Sequence, residues 1–195
     1  MKIFVTGVLL LALYSTIASA EEDVRVTLAE TANRSLQAAA ADDILNEAEY
    51  EDLRGQYQHI INQFPEWYEG YSGMATLALM TNQCDDVIHY ANTSNRKQQN
   101  EMAYYSLTLC YTKTAHYEQA VKAANATIAL NEDLTKNSEF MIYSAFAFTE
   151  VGKYEVARSL LAMIMKEKPE IKSNEKFLIT GRNLATRMRE AGLIE

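Results

Sequence analysis

The sequence predicts an all-α chain of stacked helix-turn-helix hairpins, closed by a C-terminal helix. Three observations carry that prediction. First, the 195 residues include only 2 Pro and 7 Gly, and 48% are hydrophobic. Such a mix favours helix and leaves little turn chemistry for a β-rich fold. Second, a small turn followed by an amphipathic helix recurs four times at nearly even intervals. Third, within each recurrence the apolar or small residues fall at offsets that share one helical face.

The chain opens on a different pattern. Lys2 is a lone cation, Ile3 to Ile17 is mostly apolar, and Ala18-Ser19-Ala20 precedes Glu21-Glu22-Asp23. That is the layout of a secretory signal peptide over residues 1–20. The alternative is an uncleaved anchor. The apolar run is shorter than the roughly 20 residues a spanning helix requires, which favours cleavage. No second long apolar run follows, so no stable membrane insertion is expected after cleavage. The expected location is the periplasm, or the exterior if the source lacks a second membrane.

The four recurrences are "LNEAEYEDLRGQYQHIINQFP" (45–65), "MTNQCDDVIHYANTSNRKQQ" (80–99), "KTAHYEQAVKAANATIALNE" (113–132) and "EVGKYEVARSLLAMIMKEKP" (150–169). Leu53, Val87, Ala120 and Ala157 hold equivalent places, at intervals of 34, 33 and 37 residues. A fixed period of this size marks stacked helical hairpins. Tyr57, Ala91, Ala124 and Leu161 stand four residues after the marker, and Ile60, Ser94, Thr127 and Ile164 seven after. Both sets lie on the marker's face. The polar stretch "NEDLTKNSE" accounts for the longest interval as an extended loop. Pro65 and Pro169 are expected to stop their helices. Phe177, Leu184 and Met188 share one face of a last helix within 173–193, suited to lie on the final repeat.

On these residues the chain resembles the tetratricopeptide repeat family. The third repeat carries Tyr104, Leu107, Tyr111, Tyr117 and Ala120 at signature places, and the fourth carries Phe148, Gly152, Tyr154, Ala157 and Pro169. The first matches through Tyr50, Leu53, Tyr57 and Pro65. The second departs, with Val87 where the family has a small residue, and Thr108 and Ala145 replace a usual Gly. The resemblance implies a right-handed superhelical solenoid. It divides the chain into a repeat domain over 21–172, with repeats near 34–67, 68–100, 101–137 and 138–172, and a capping helix and tail over 173–195.

The resemblance also implies a concave face lined by the first helix of each repeat. By position that lining includes Ser72, Thr76, Leu79 and Met80, then Tyr105, Leu109, Thr112 and Lys113, then Ile142, Phe146, Thr149 and Glu150. Leu79, Met80, Tyr105, Leu109, Thr112, Lys113, Ile142, Phe146 and Thr149 are the expected partner-binding residues. The Lys and Asn clamp with which some family members hold acidic chaperone tails is absent, because Ser72, Thr76, Tyr105 and Leu109 occupy those places. An apolar groove suits an amphipathic helix or an apolar extended peptide instead. The competing reading is that helical spacing of apolar residues serves the core first.

Chemistry is otherwise sparse. His59, His89 and His116 stand apart, with no second ligand at metal spacing. "GYSGM" (70–74) lacks the second Gly of a nucleophile elbow and sits in a helical pattern. Adjacent acids such as Asp42-Asp43 and Asp85-Asp86 splay apart by about 100° on a helix. No catalytic, metal or cofactor site is therefore expected. Asn33, Asn92 and Asn125 begin glycosylation sequons, relevant only to a eukaryotic source. Cys84 and Cys110 fall in regions that stacking would bring side by side. A disulfide between them suits an oxidising compartment, and two buried thiols are the alternative.

The formal charge is −8, and it moves to −9 once the one Lys of the first twenty residues is removed. A chain so acidic is a poor nucleic-acid binder. The expected function is a non-catalytic interaction scaffold of the cell envelope. The alternative is a self-associating structural subunit, a homo-oligomer that joins acidic N-terminal and basic C-terminal ends and dissociates in salt.

Overall fold

The computed structural model describes residues 22–39 and 45–195. The expected signal peptide and the Asp42-Asp43 pair lie outside the described residues. Those residues form helices and connecting turns, with no strand among them. Helix α1 covers 22–39. There follow α2 (Glu47–Gln63), α3 (Tyr68–Met80), α4 (Cys84–Lys97), α5 (Glu101–Lys113) and α6 (Tyr117–Leu130). The chain ends with α7 (Ser138–Glu150), α8 (Tyr154–Glu167) and α9 (Glu175–Glu190). Helix α1 crosses the expected repeat boundary at residue 34. It buries Ala29, Ala32, Leu36 and Ala39.

Three helical hairpins, α3–α4, α5–α6 and α7–α8, are built on one turn. Each has three linking residues, and the middle one has positive φ: Asn82 at 58°, Ala115 at 60° and Gly152 at 75°. The turns close with the same backbone bonds, Gln83 N–H to Ala78 O (2.9 Å), His116 N–H to Tyr111 O (2.8 Å) and Lys153 N–H to Phe148 O (2.8 Å). These satisfy carbonyls that a helix end would otherwise leave unpaired. Gly152 adopts the left-handed conformation without a Cβ penalty. Ala115 bears a cost of about 1–2 kcal/mol there.

Between hairpins the punctuation is asparagine. Asn100, Asn137 and Asn174 cap α5, α7 and α9, accepting hydrogen bonds from Ala103, Phe140 and Phe177 N–H. Each cap is worth about 1 kcal/mol. The stretch expected as an extended loop is a 3₁₀ turn, Glu132–Lys136, held between Asn131 and Asn137. Its N-terminal Asn131 accepts from Asp133 N–H, and Thr135 and Lys136 bond back to Glu132 and Asp133, which favours a short capped turn over an open loop. Pro169 likewise begins a second 3₁₀ turn, Pro169–Ser173. Its missing N–H is harmless at a first helical position.

Helices α3, α5, α7 and α9 contact one another in succession, and α4, α6 and α8 each bridge to the first helix of the next pair. The marker residues Leu53, Val87, Ala120 and Ala157 are all buried, as are the residues four and seven places after each. Ala157 has no exposed surface, so Ala157→Leu should overpack this contact and cost about 1–3 kcal/mol. Urea denaturation reads that loss as a lower midpoint with an unchanged slope. Gly73 answers a similar constraint, because a Cβ there would meet the Tyr57 ring at 1.9 Å. That ring is anchored by its hydroxyl, which donates to Asn33 Oδ1 at 2.9 Å.

Cys84 and Cys110 are at disulfide distance, their Cα atoms 5.2 Å apart. The pair ties the first residue of α4 to the last turn of α5.

Candidate functional site

The face formed by α5, α7 and α9 holds a hollow of about 230 Å³. Its walls are Thr112 and Lys113 from α5, Ile142, Tyr143 and Phe146 from α7, and Lys176, Ile179 and Thr180 from α9. Lys113, Lys176 and Ile179 are exposed, and Tyr143 and Phe146 are half-buried. Each reaches the hollow because its helix stacks first-to-first on its neighbour, with α9 in the place a further hairpin's first helix would take.

Polar contacts seat α9. Lys176 Nζ lies 2.8 Å from Glu139. Glu150 accepts from Asn183 Nδ2 at 2.6 Å and from Arg187 at 2.8 Å. Glu150, a lining residue by position, is therefore spent on holding α9. Leu184 and Met188 are buried against α7 and α8, and Phe177 packs beside them.

Two ammonium groups border the Tyr143 ring in the hollow. Lys113 Nζ lies 5.7 Å from the Tyr143 ring centre and Lys176 Nζ lies 5.3 Å from it. Lys113 donates to Asn82 Oδ1 at 2.8 Å, a neutral acceptor. Burial pulls the Lys113 ammonium below its ordinary pKa; Glu139 opposes that shift and Lys176 adds to it. The Thr112 and Thr180 hydroxyls donate to their own helix, to Thr108 O at 2.7 Å and Lys176 O at 2.9 Å. The lysines and Tyr143 thus supply the polar chemistry of an otherwise apolar wall.

The nine expected partner-binding residues divide by whether they border the hollow. Thr112, Lys113, Ile142 and Phe146 line the hollow. Tyr105, Leu109 and Thr149 are buried. Tyr105 stacks on Phe140 with ring centres 5.7 Å apart, so it belongs to the core. Leu79 is partly buried against the core, and Met80 is exposed at the α3 end of the same face. Tyr143, Lys176, Ile179 and Thr180 were not anticipated. Three of them come from α9, whose position depends on tertiary docking.

Burial acts on the tyrosines too. It raises Tyr105 to about 12 from 10.0, with Glu139 a smaller contributor. Burial also pushes Tyr57 up, with Glu69 again secondary. A phenol with a raised folded pKa stabilises the fold below its unfolded pKa. That stability is lost as pH rises through the folded pKa. The protein should therefore lose stability between pH 10 and 12, by about 2 kcal/mol from Tyr105 alone. Thermal melts across that range should fall less steeply in Tyr105→Phe.

A larger hollow, about 420 Å³, lies between α1 and α2 and is lined by Leu28, Thr31, Glu51, Asp52, Gly55, Gln56 and His59. It is remote in sequence from the expected groove. Among the described residues no group of three His, Cys, Asp or Glu side chains could hold a metal, and His59, His89 and His116 are each exposed. Of the sequon asparagines, Asn33 accepts from Tyr57 and Asn92 donates to Tyr111 Oη at 3.1 Å, while Asn125 is exposed.

Among known proteins, the chain matches no family model and no curated sequence. No helix of the described residues is long and apolar enough to cross a membrane.

Proposed function

We propose that this protein is an exported, non-catalytic adaptor of the cell envelope, built as a tetratricopeptide-like right-handed solenoid. It holds a segment of a partner protein on the face made by its first helices. The observation that carries this reading is the hollow between α5, α7 and α9, with half-buried Phe146 and exposed Ile179 on its rim. Exposed apolar surface framed by lysines has the composition of a peptide-binding groove. The Cys84–Cys110 pair accords with an oxidising compartment such as the periplasm.

The test is a crosslinking pull-down from the native envelope. It compares wild type with a Phe146→Ala, Ile179→Ala variant shown to be folded by circular dichroism. Tyr105 is unsuitable for the test because it props Phe140 in the core. The expected result is one protein captured by wild type and reduced at least tenfold in the variant. Equal capture by both would remove the groove as the binding surface.

A further inference from the structure

We infer that the hollow selects a partner segment in which a large apolar side chain stands within two residues of an aspartate or glutamate. This rests on the adaptor reading and adds the chemistry of what is bound. The apolar requirement comes from Ile142, Phe146 and Ile179, which present hydrocarbon to a space of about 230 Å³. A cavity with such walls gains by burying a side chain of matching character.

The acidic requirement comes from the charges at its edge. Lys113 and Lys176 both lie over the Tyr143 ring. Glu139 answers Lys176 at 2.8 Å, whereas Lys113 is held by the neutral Asn82 Oδ1. The local balance is therefore one cation in excess, on a chain whose formal charge is −8. The net charge of the chain opposes an acidic segment at long range, whereas this local excess cation attracts one. That contrast fixes where and in which register a carboxylate docks. An ammonium held by a neutral acceptor and facing a second cation across one ring gains from an arriving carboxylate. The Thr112 and Thr180 hydroxyls donate their one proton to helix carbonyls, so a carboxylate, which needs donors, must meet the lysines or Tyr143.

The experiment is selection of random displayed octapeptides on the purified wild-type protein. Chosen sequences are then remade as acetylated, amidated, fluorescein-labelled peptides and titrated by anisotropy. Selected peptides should carry Leu, Ile, Phe, Tyr or Trp with Asp or Glu within two positions. Replacing that acid by its amide should weaken binding at least tenfold. Lys113→Met, Lys176→Met should remove the acid preference, and Phe146→Ala should weaken every peptide. A folded lysine variant that retains the preference would overturn the inference. Selection of basic or purely apolar peptides, a requirement for a free C-terminal carboxylate, or no enrichment at all would overturn it equally. If the envelope partner is still lost in Phe146→Ala, Ile179→Ala while acids prove irrelevant, the groove stands and only its chemistry falls. Should both experiments fail, the adaptor reading falls with it.

Discussion

Replacing Cys84 and Cys110 together by alanine should cost about 3–4 kcal/mol. The two are 26 residues apart in sequence, and their bond removes the corresponding loop freedom from the unfolded chain. The surroundings make the staple matter. Helix α4 buries only Val87, Ala91 and Ser94 among its own residues, whereas α8 buries Ala157, Leu160, Leu161 and Ile164. Small side chains bring little hydrophobic stabilisation, so the α3–α4 hairpin depends more on its covalent tie to α5. The check is urea denaturation of the wild type with and without reductant, beside the double variant in both conditions. Reductant should lower the wild-type midpoint to that of the variant and leave the variant unmoved. Amide exchange should rise first in α3 and α4, since array-like stacks of hairpins can open locally. A wild-type midpoint indifferent to reductant would mean the bond adds nothing to α4's packing.

The helices and their buried faces were legible because period and offset are local properties of the chain. Leu53, Val87, Ala120 and Ala157, with the residues four and seven places on, are buried as their spacing predicts. The turns were legible only in outline. Ala115 adopts the same positive φ as Gly152, and nothing about an alanine announces that. Asn100, Asn137 and Asn174 stand at equal spacing and cap three successive first helices. That signal was present in the sequence, and it would have placed α9 among the first helices. The candidate site was half legible. The resemblance put Thr112, Lys113, Ile142 and Phe146 on the face that holds the hollow, yet it could not separate them from Tyr105, Leu109 and Thr149, which are buried and do not line it. Lys176, Tyr143 and Ile179 needed the docked position of α9, which rests on Glu139, Glu150, Leu184 and Met188 acting together.

Phe140→Ala should be among the most damaging substitutions, at about 3–5 kcal/mol, because it removes a large side chain from the largest core cluster. Phe140 has no exposed surface and stands in the first turn of α7, where its N–H donates to the Asn137 cap. Its ring stacks on Tyr105, joining α5 to α7. The loss should therefore be both energetic and positional. With Phe140 gone, Tyr105 regains solvent and its raised pKa should return toward 10, which alkaline absorbance titration would read directly. Phe140→Leu fills much of the same space and should cost clearly less. A double-mutant cycle with Tyr105→Ala isolates the ring pair, expected to contribute about 0.5–1.5 kcal/mol beyond burial. If Phe140→Ala shifts the urea midpoint no more than Phe140→Leu, the α5–α7 contact is not held by this ring.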